Sequence, residues 1–291
     1  MKTVFPGREI LVLSGKGGSG KTFLASSLIE MMHPCVACDY DVDASNLFIL
    51  FPSQEIEVSE YTGGKLAFID ANSCIDCGLC ESMCAFHAIE EQKVKAMFCE
   101  GCGLCTRICP VGAVRLIPRN SGRWYRGKRD SGEPILFAEL RPGEENSGKL
   151  VACLKDRARE EAARQQLPLI ISDGPPGLGC PVISALSGAD LVVMVAEPSV
   201  SGSQDLKRLH ELLQARAVPA VLVINKSDLN PEGRKHLVSW AREENIPIIG
   251  MIPFCQEVFS AIRQGISPVS YPAIRELLKP ICDHLNRLKS N

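Results

Sequence analysis

The chain has 291 residues, 45% of them hydrophobic, with 32 Lys and Arg against 34 Asp and Glu. That length suits one large α/β domain or two smaller ones, and the near-balanced charge leaves no electrostatic footprint for nucleic acid. The N-terminus MKTVFPGREI lacks the apolar stretch of a signal peptide, and no apolar run approaches the roughly 18–20 residues of a membrane span; a cytoplasmic protein without membrane or nucleic-acid partners is expected. Fourteen cysteines in such a chain point to metal or redox chemistry rather than to a disulfide scaffold.

An apolar strand ending at Val12 and Leu13 runs into Gly15, Lys16, Gly17, Gly18, Ser19, Gly20, Lys21 and Thr22, followed by a helix over about residues 22–32. This is a phosphate-binding loop: glycines let backbone N–H groups curl round phosphates, Lys21 reaches the β and γ oxygens, and the Thr22 hydroxyl ligates Mg2+. A second strand ending at Cys38 and Asp39 completes the opening βαβ of a doubly wound, mostly parallel sheet. Asp39, Asp41 and Asp43 then alternate where a strand end faces the nucleotide, a place from which a carboxylate holds the metal's waters or orients the attacking water.

The composition changes near Gly63. Cys74, Cys77, Cys80 and Cys84 recur 25 residues later as Cys99, Cys102, Cys105 and Cys109, so the segment is an internal duplication. The spacing resembles that of bacterial two-cluster ferredoxins, in which the fourth cysteine of each run crosses to the other cluster. The resemblance implies one 4Fe-4S cluster on Cys74, Cys77, Cys80 and Cys109, and another on Cys99, Cys102, Cys105 and Cys84. Zinc rarely takes four cysteines so tightly spaced and duplicated. Ala85 stands where the second repeat has Pro110, and His87 reads as a surface or packing residue because the ligand count is already complete.

Beyond residue 118, RNSGRWYRGKRD carries five basic residues and two aromatics and is expected to form a β-hairpin, with a docking face for an acidic redox partner as one reading. A helix follows from the loop GEENSGKL through Arg164, in which Lys149 reads about equally as a solvated or a functional residue. Leu169 to Ser172 form an apolar strand ending in Asp173, the arrangement that holds Mg2+ through a water. Strand and helix then alternate regularly to Ile252. The C-terminal residues Ile274, Leu277, Leu278, Ile281, Leu285 and Leu288 share a helical face that reads as a cover for the sheet, with a kink expected at Pro280.

Lys16, immediately after the first glycine of the loop, is not needed to cradle phosphate. With it the chain resembles the deviant P-loop ATPases of the MinD, Mrp and nitrogenase iron protein group. The resemblance implies a nucleotide-dependent homodimer, or a heterodimer with a related ATPase, in which Lys16 reaches the partner's phosphates. It assigns Asp41 to the attacking water and the Mg2+ shell, and the turn after Asp173 to the switch that senses the γ-phosphate. It further makes Asn225 and Lys226 the base-recognition element, with Pro253 flanking the base and ATP preferred over GTP despite Asp228 completing an N-K-S-D string. In the iron protein, a cysteine at the place of Cys180 helps ligate a cluster shared across the dimer seam; a small buried thiol is the alternative. The expected organisation is a P-loop ATPase domain over 1–62 and 119–291, with an inserted α+β ferredoxin-like domain over 63–118. The expected function is ATP hydrolysis coupled to electron transfer toward an unidentified redox or cluster-acceptor protein. A cluster-carrier or assembly ATPase and a positioning or scaffold ATPase with structural clusters are the alternatives.

Overall fold

The computed structural model describes residues 7–144 and 147–288. The N-terminal stretch 1–6, and Glu145 and Asn146 of the GEENSGKL loop, lie outside the described residues. In chain order the elements are β1 (Arg8–Leu13), α1 (Lys21–Met31), β2 (Val36–Asp39), α2 (Leu47–Leu50), β3 (Gln54–Ile69), α3 (Leu79–Ser82), β4 (Ile89–Glu90), β5 (Lys93–Val94), α4 (Leu104–Ile108), β6 (Val114–Lys128) and β7 (Pro134–Leu140). There follow α5 (Ser147–Arg164), β8 (Leu169–Asp173), α6 (Cys180–Leu186), β9 (Leu191–Ala196), α7 (Val200–Ala215), β10 (Ala220–Asn225), α8 (Pro231–Glu243), β11 (Ile248–Ile252), α9 (Gln256–Arg263) and α10 (Pro272–Arg287). The chain divides into two compact units, one of Met1–Val58, Trp124–Glu139 and Ser147–Asn291, the other of Ser59–Arg123 and Leu140–Asn146.

In the first unit the strands run β11-β10-β9-β1-β8-β2-β7, and the ends of β6 and β3 that belong to this unit continue the sheet. Every registered pair from β11 to β7 is parallel, which buries both faces and explains the continuous apolar runs of β1, β8, β9 and β10. β1 sits between β8 and β9, at the point where successive crossovers turn to opposite sides, and a cleft opens there beyond the strand ends. The α10 helix runs unbroken through Pro280 and packs Ile274, Leu278, Ile281 and Leu285 into the core. Proline in a helix interior forfeits one N–H bond, and here the buried stripe on either side holds the helix together.

One buried charge network was not legible beforehand. Glu9 of β1 accepts from Lys155 Nζ (2.6 Å), Tyr40 Oη (3.0 Å) and Arg159 (3.2 Å), tying α5 to the centre of the sheet. Removing one partner would leave an uncompensated buried charge, so the network specifies how α5 docks.

The segment 119–128 departs from expectation: it is part of the single strand β6, and the reversal to β7 falls later, where Gly132 N–H donates to the Arg129 carbonyl (2.8 Å). Trp124 and Tyr125 favour a pleated strand, whereas Asp130 and Gly132 supply the turn chemistry. Its arginines, and Arg129 just after it, each face a carboxylate. Arg119 pairs with Glu144, Arg123 with Glu60, Arg126 with Glu57 and Glu161, and Arg129 with Glu133, so these arginines do not form an unbalanced basic face for an acidic partner.

The second unit contains the remainder of β3 and β6, the short α3 and α4, and the β4-β5 hairpin. Its two cysteine repeats share backbone conformation at a 25-residue offset. Asp76 and Gly101 are both left-handed (φ 54° and 61°), as are Gly78 and Gly103 (68° and 76°) and His87 and Gly112 (49° and 66°). Among the described residues its buried apolar side chains are Tyr61, Ala67, Ala88, Ile89, Cys99, Ala113 and Val114, few for a unit of this size.

Candidate functional site

The register of the sheet assembles the nucleotide-side residues. Val12 of β1 pairs with Asp173 of β8, and Asp173 pairs in turn with Asp39 of β2, so the loop after β1 and both aspartates emerge at one edge. Gly20, left-handed at φ 97°, turns the loop into α1, and a Cβ there would lie 2.0 Å from the Asn225 amide. Only glycine permits this turn and this approach.

Lys21, buried at 7% exposure, places Nζ 2.7 Å from Asp173 Oδ1, and Thr22 Oγ1 donates to Asp173 Oδ2 at 2.6 Å. Asp41 lies 4.0 Å from the same ammonium. Burial opposes the Lys21 charge, but Asp173 and then Asp39 and Asp41 outweigh it and hold its pKa above the usual value. Burial likewise raises Asp41, aided by Asp173 and Asp43 and opposed by Lys21. The loop lysine, the loop hydroxyl, the strand-end Asp173 and Asp41 of the loop after β2 thus converge on one point, and hard oxygen donors of this kind suit Mg2+.

Asp39 has a different occupation. It is fully buried, Oδ1 accepts from Asp41 N–H (3.0 Å), and Oδ2 accepts from Ser45 Oγ (2.8 Å) and from the N–H groups of Asn46 and Leu47 (3.0 Å each). Burial and the neighbouring Asp173 push its pKa up to about 6 against those bonds. Its carboxylate shapes the loop that carries Asp41.

Three residues that local reasoning missed hold Lys16. Its Nζ lies 2.7 Å from Glu197 Oε1 and 3.1 Å from both Ser199 Oγ and Ser201 Oγ. Glu197 Oε2 also meets Lys226 Nζ (3.0 Å), which donates to the Gly18 carbonyl (2.9 Å). Burial alone would raise Glu197, yet the two lysines hold its pKa below the usual carboxylate value. An acidic strand end at Ala196-Glu197 was the one available signal; its pairing with Lys16 joins the loops after the adjacent strands β9 and β1, far apart in sequence, and has no local signature.

The cleft itself has a volume of about 600 Å³. It is lined by the loop, Lys21, Thr22 and Asp41 together with Asn225, Lys226, Pro253, Phe254 and Phe259. Asn225 donates its amide to the Ser19 carbonyl (2.9 Å), bracing the loop, and Asp228 accepts from Phe254 N–H (2.6 Å), pinning the segment after β11. The residues read as base-recognising therefore also clamp the site together. Lys149 is exposed on α5, and Cys180 is an exposed thiol at the start of α6.

In the second unit, one cavity is lined by Cys74, Cys77, Cys80 and Cys109. Another is lined by Cys84, Cys99, Cys102 and Cys105, with Cys80 at the wall shared by both. Ala88 N–H donates to Cys84 Sγ (3.4 Å) and Ala113 N–H to Cys109 Sγ (3.3 Å), the same contact in each repeat. Desolvation opposes it, but the N–H groups of Val111, Ala113, Val114 and Gly112 hold the Cys109 thiol below its usual pKa. His87 occupies the left-handed position of Gly112 and closes the same turn, donating N–H to the Cys84 carbonyl (3.0 Å), so Ala85 does not open it. Among the described residues all the cysteines are free, and no group of three or more His, Cys, Asp or Glu stands as a site for a metal ion.

A glycine-rich loop and a strand-end aspartate meeting under the cleft of a doubly wound sheet define a P-loop nucleotide-binding protein. Residues 10–269 match the family described as the CobQ/CobB/MinD/ParA nucleotide binding domain, and the chain belongs to that family. It is 38% identical over 225 residues to an uncharacterized protein of Methanocaldococcus jannaschii, covering 76% of this chain and 79% of that one. Its fold is similar to that of the cell division ATPase MinD of Pyrococcus furiosus, at 15% identity, a TM-score of 0.55, and coverage of 97% and 99% of the two chains. The septum site-determining protein MinD of Pyrococcus horikoshii, complexed with Mg-ADP, is similar at 14% identity and a TM-score of 0.57, with 97% of each chain covered. Among the described residues no helix is long and apolar enough to cross a membrane.

Proposed function

We propose that the chain is a cytoplasmic ATPase that pairs around ATP with a second copy or a related ATPase and couples turnover to electron transfer through two 4Fe-4S clusters. Lys21 binds the β and γ oxygens, Thr22 and Asp173 hold Mg2+, and Asp41, on the loop shaped by Asp39, orients the attacking water. Lys16 leaves Glu197 to meet the partner's phosphates, where a positive charge stabilises what develops in the transition state. Mg2+, when bound, neutralises charge on the phosphates.

The observation that carries the iron-sulfur reading is the lining of the two cavities, each by one complete set of four cysteines drawn from both repeats. A unit with so few buried apolar side chains and no disulfide among the described residues also calls for a staple, which cluster ligation provides. When bound, the clusters supply one-electron transfer. The chain's residues 63–118 form the inserted domain in this reading.

The exposure of Cys180 just past the switch loop favours a second reading, a cluster carrier that hands a labile cluster to an acceptor. The test is anaerobic purification with iron and sulfide counts and EPR with and without ATP. About eight irons per chain are expected from the two sets, and about four in Cys99→Ala. Cluster transfer to an apo acceptor without ATP-dependent reduction of any partner would replace electron transfer by carriage. A signal indifferent to dithionite would leave a positioning ATPase with structural clusters, and absence of iron would overturn the cluster assignment.

A further inference from the structure

The two cysteine sets of the second unit repeat in sequence and in backbone conformation, yet their surroundings differ. Cys99, 8% exposed, shares a buried cluster with Ala67, Ala88 and Val114, and Cys84 and Cys105 of the same set pack against that cluster. Of the other set, among the described residues, Cys109 alone does so. The turns that carry the first ligands differ as well. Arg119 of β6 donates through Nη1 to the Cys99 carbonyl (2.7 Å), while its Nε and Nη2 both lie 2.5 Å from Glu144 Oε1. On another side the same turn comes down on β3, where a Cβ at Gly101 would lie 2.3 Å from the Lys65 carbonyl. At the 25-residue offset Arg119 corresponds to Val94, which carries no donor, and Gly101 to Asp76, which is exposed. A planar guanidinium gripped along one edge by a carboxylate has its remaining donors fixed in direction, so it holds the Cys99 carbonyl firmly.

Resting on the cluster assignment above, we propose that the two sites are unequal and that Arg119 is the positioning residue that makes them so. It holds the Cys99–Cys102 turn on its cluster, so the cluster on Cys84, Cys99, Cys102 and Cys105 is the retained one. The cluster on Cys74, Cys77, Cys80 and Cys109 is the labile one. Groups behind the ligands orient them and govern how firmly a metal site is kept. A ligand set rooted in packed side chains lets go only when that packing opens, whereas a set on an unclamped turn releases by opening the turn alone. The set with Cys74 is therefore the one from which a cluster can be handed on, and the set with Cys99 is the one that stays.

The test is iron release from the anaerobically purified full chain into excess chelator, followed by absorbance, with hydrogen exchange of the same iron-loaded protein measured alongside. Two phases of about four irons each are expected, the slower one roughly tenfold or more behind the faster. Cys77→Ser removes the fast phase and Cys102→Ser the slow one. Arg119→Gln brings the slow phase to within about threefold of the fast one, and Arg119→Lys restores part of the difference. Arg119→Gln also speeds amide exchange at residues 100–102 by roughly tenfold and leaves 75–77 unchanged. Glu144→Gln, which loosens the grip on the guanidinium, moves both readouts in the same direction and carries the comparison if Arg119→Gln does not fold. A single phase of about eight irons, a slow phase lost in Cys77→Ser, or release and exchange unmoved by either variant would overturn the inequality and leave the clusters in place. A chain without iron would overturn the cluster assignment and the inequality with it.

Discussion

Lys21 has two partners in succession, and truncating it separates them. Before nucleotide binds, its ammonium is the counter-charge for Asp173, at 2.7 Å and almost fully buried, with Asp39 and Asp41 close behind. Lys21→Ala leaves these carboxylates facing one another without a cation. Removing one member of a buried pair costs about 3–5 kcal/mol, because the survivor's desolvation is no longer compensated. For a unit of this size each kcal/mol moves the melting temperature by roughly 2–4 °C, so the nucleotide-free variant should melt roughly 10 °C below the wild type at pH 8. The deficit should shrink at pH 5. Asp39 is already pushed up to about 6 and Asp41 is raised, and loss of the lysine that opposes both raises them further. Their protons are then taken up in the folded state as pH falls, which stabilises the variant relative to the wild type. Millimolar Mg2+ should also raise the variant's melting point more than the wild type's. Calorimetry at the two pH values, with and without Mg2+, is the assay. A variant within about 1 kcal/mol of the wild type at pH 8, or a deficit independent of pH, would show that the carboxylates are solvated and that the buried pairing is wrong.

Asp39 itself predicts a pH trend in the wild type. Its pKa rises from 3.8 to about 6 on folding, so the folded state binds the proton more tightly and stability falls as pH rises through that window. Urea unfolding between pH 4 and 7 should show a slope that Asp39→Asn removes, at a general cost from the disturbed loop bonds. In the second unit, Gly101 is left-handed and a Cβ there would lie 2.3 Å from the Lys65 carbonyl, so Gly101→Ala should displace the Cys99 and Cys102 turn and, on the proposed cluster assignment, roughly halve the iron content. His87→Gly relieves the left-handed histidine and should stabilise the same unit by about 1 kcal/mol, read as slower hydrogen exchange at Ala88.

Much of this molecule is written in short-range signals. Gly15 to Thr22 demands a strand before it and a helix after it; the apolar runs of β1, β8, β9 and β10 follow from burial on both faces; and the 25-residue cysteine offset reappears as matched left-handed residues at Asp76 and Gly101. Such features depend on a residue's own conformational limits and on neighbours a few positions away, so a single sequence carries them. Tertiary structure alone decided the rest. It set Lys21 and Thr22 on Asp173, turned Asp39 into the brace of the Asp41 loop, gave Lys16 to Glu197, and spent the arginines around β6 on internal carboxylates. Except for the Asp39 bonds, which span two to eight positions, those pairings join residues tens to hundreds of positions apart, and they are fixed by strand register and by the need to satisfy each charge that burial strips of water.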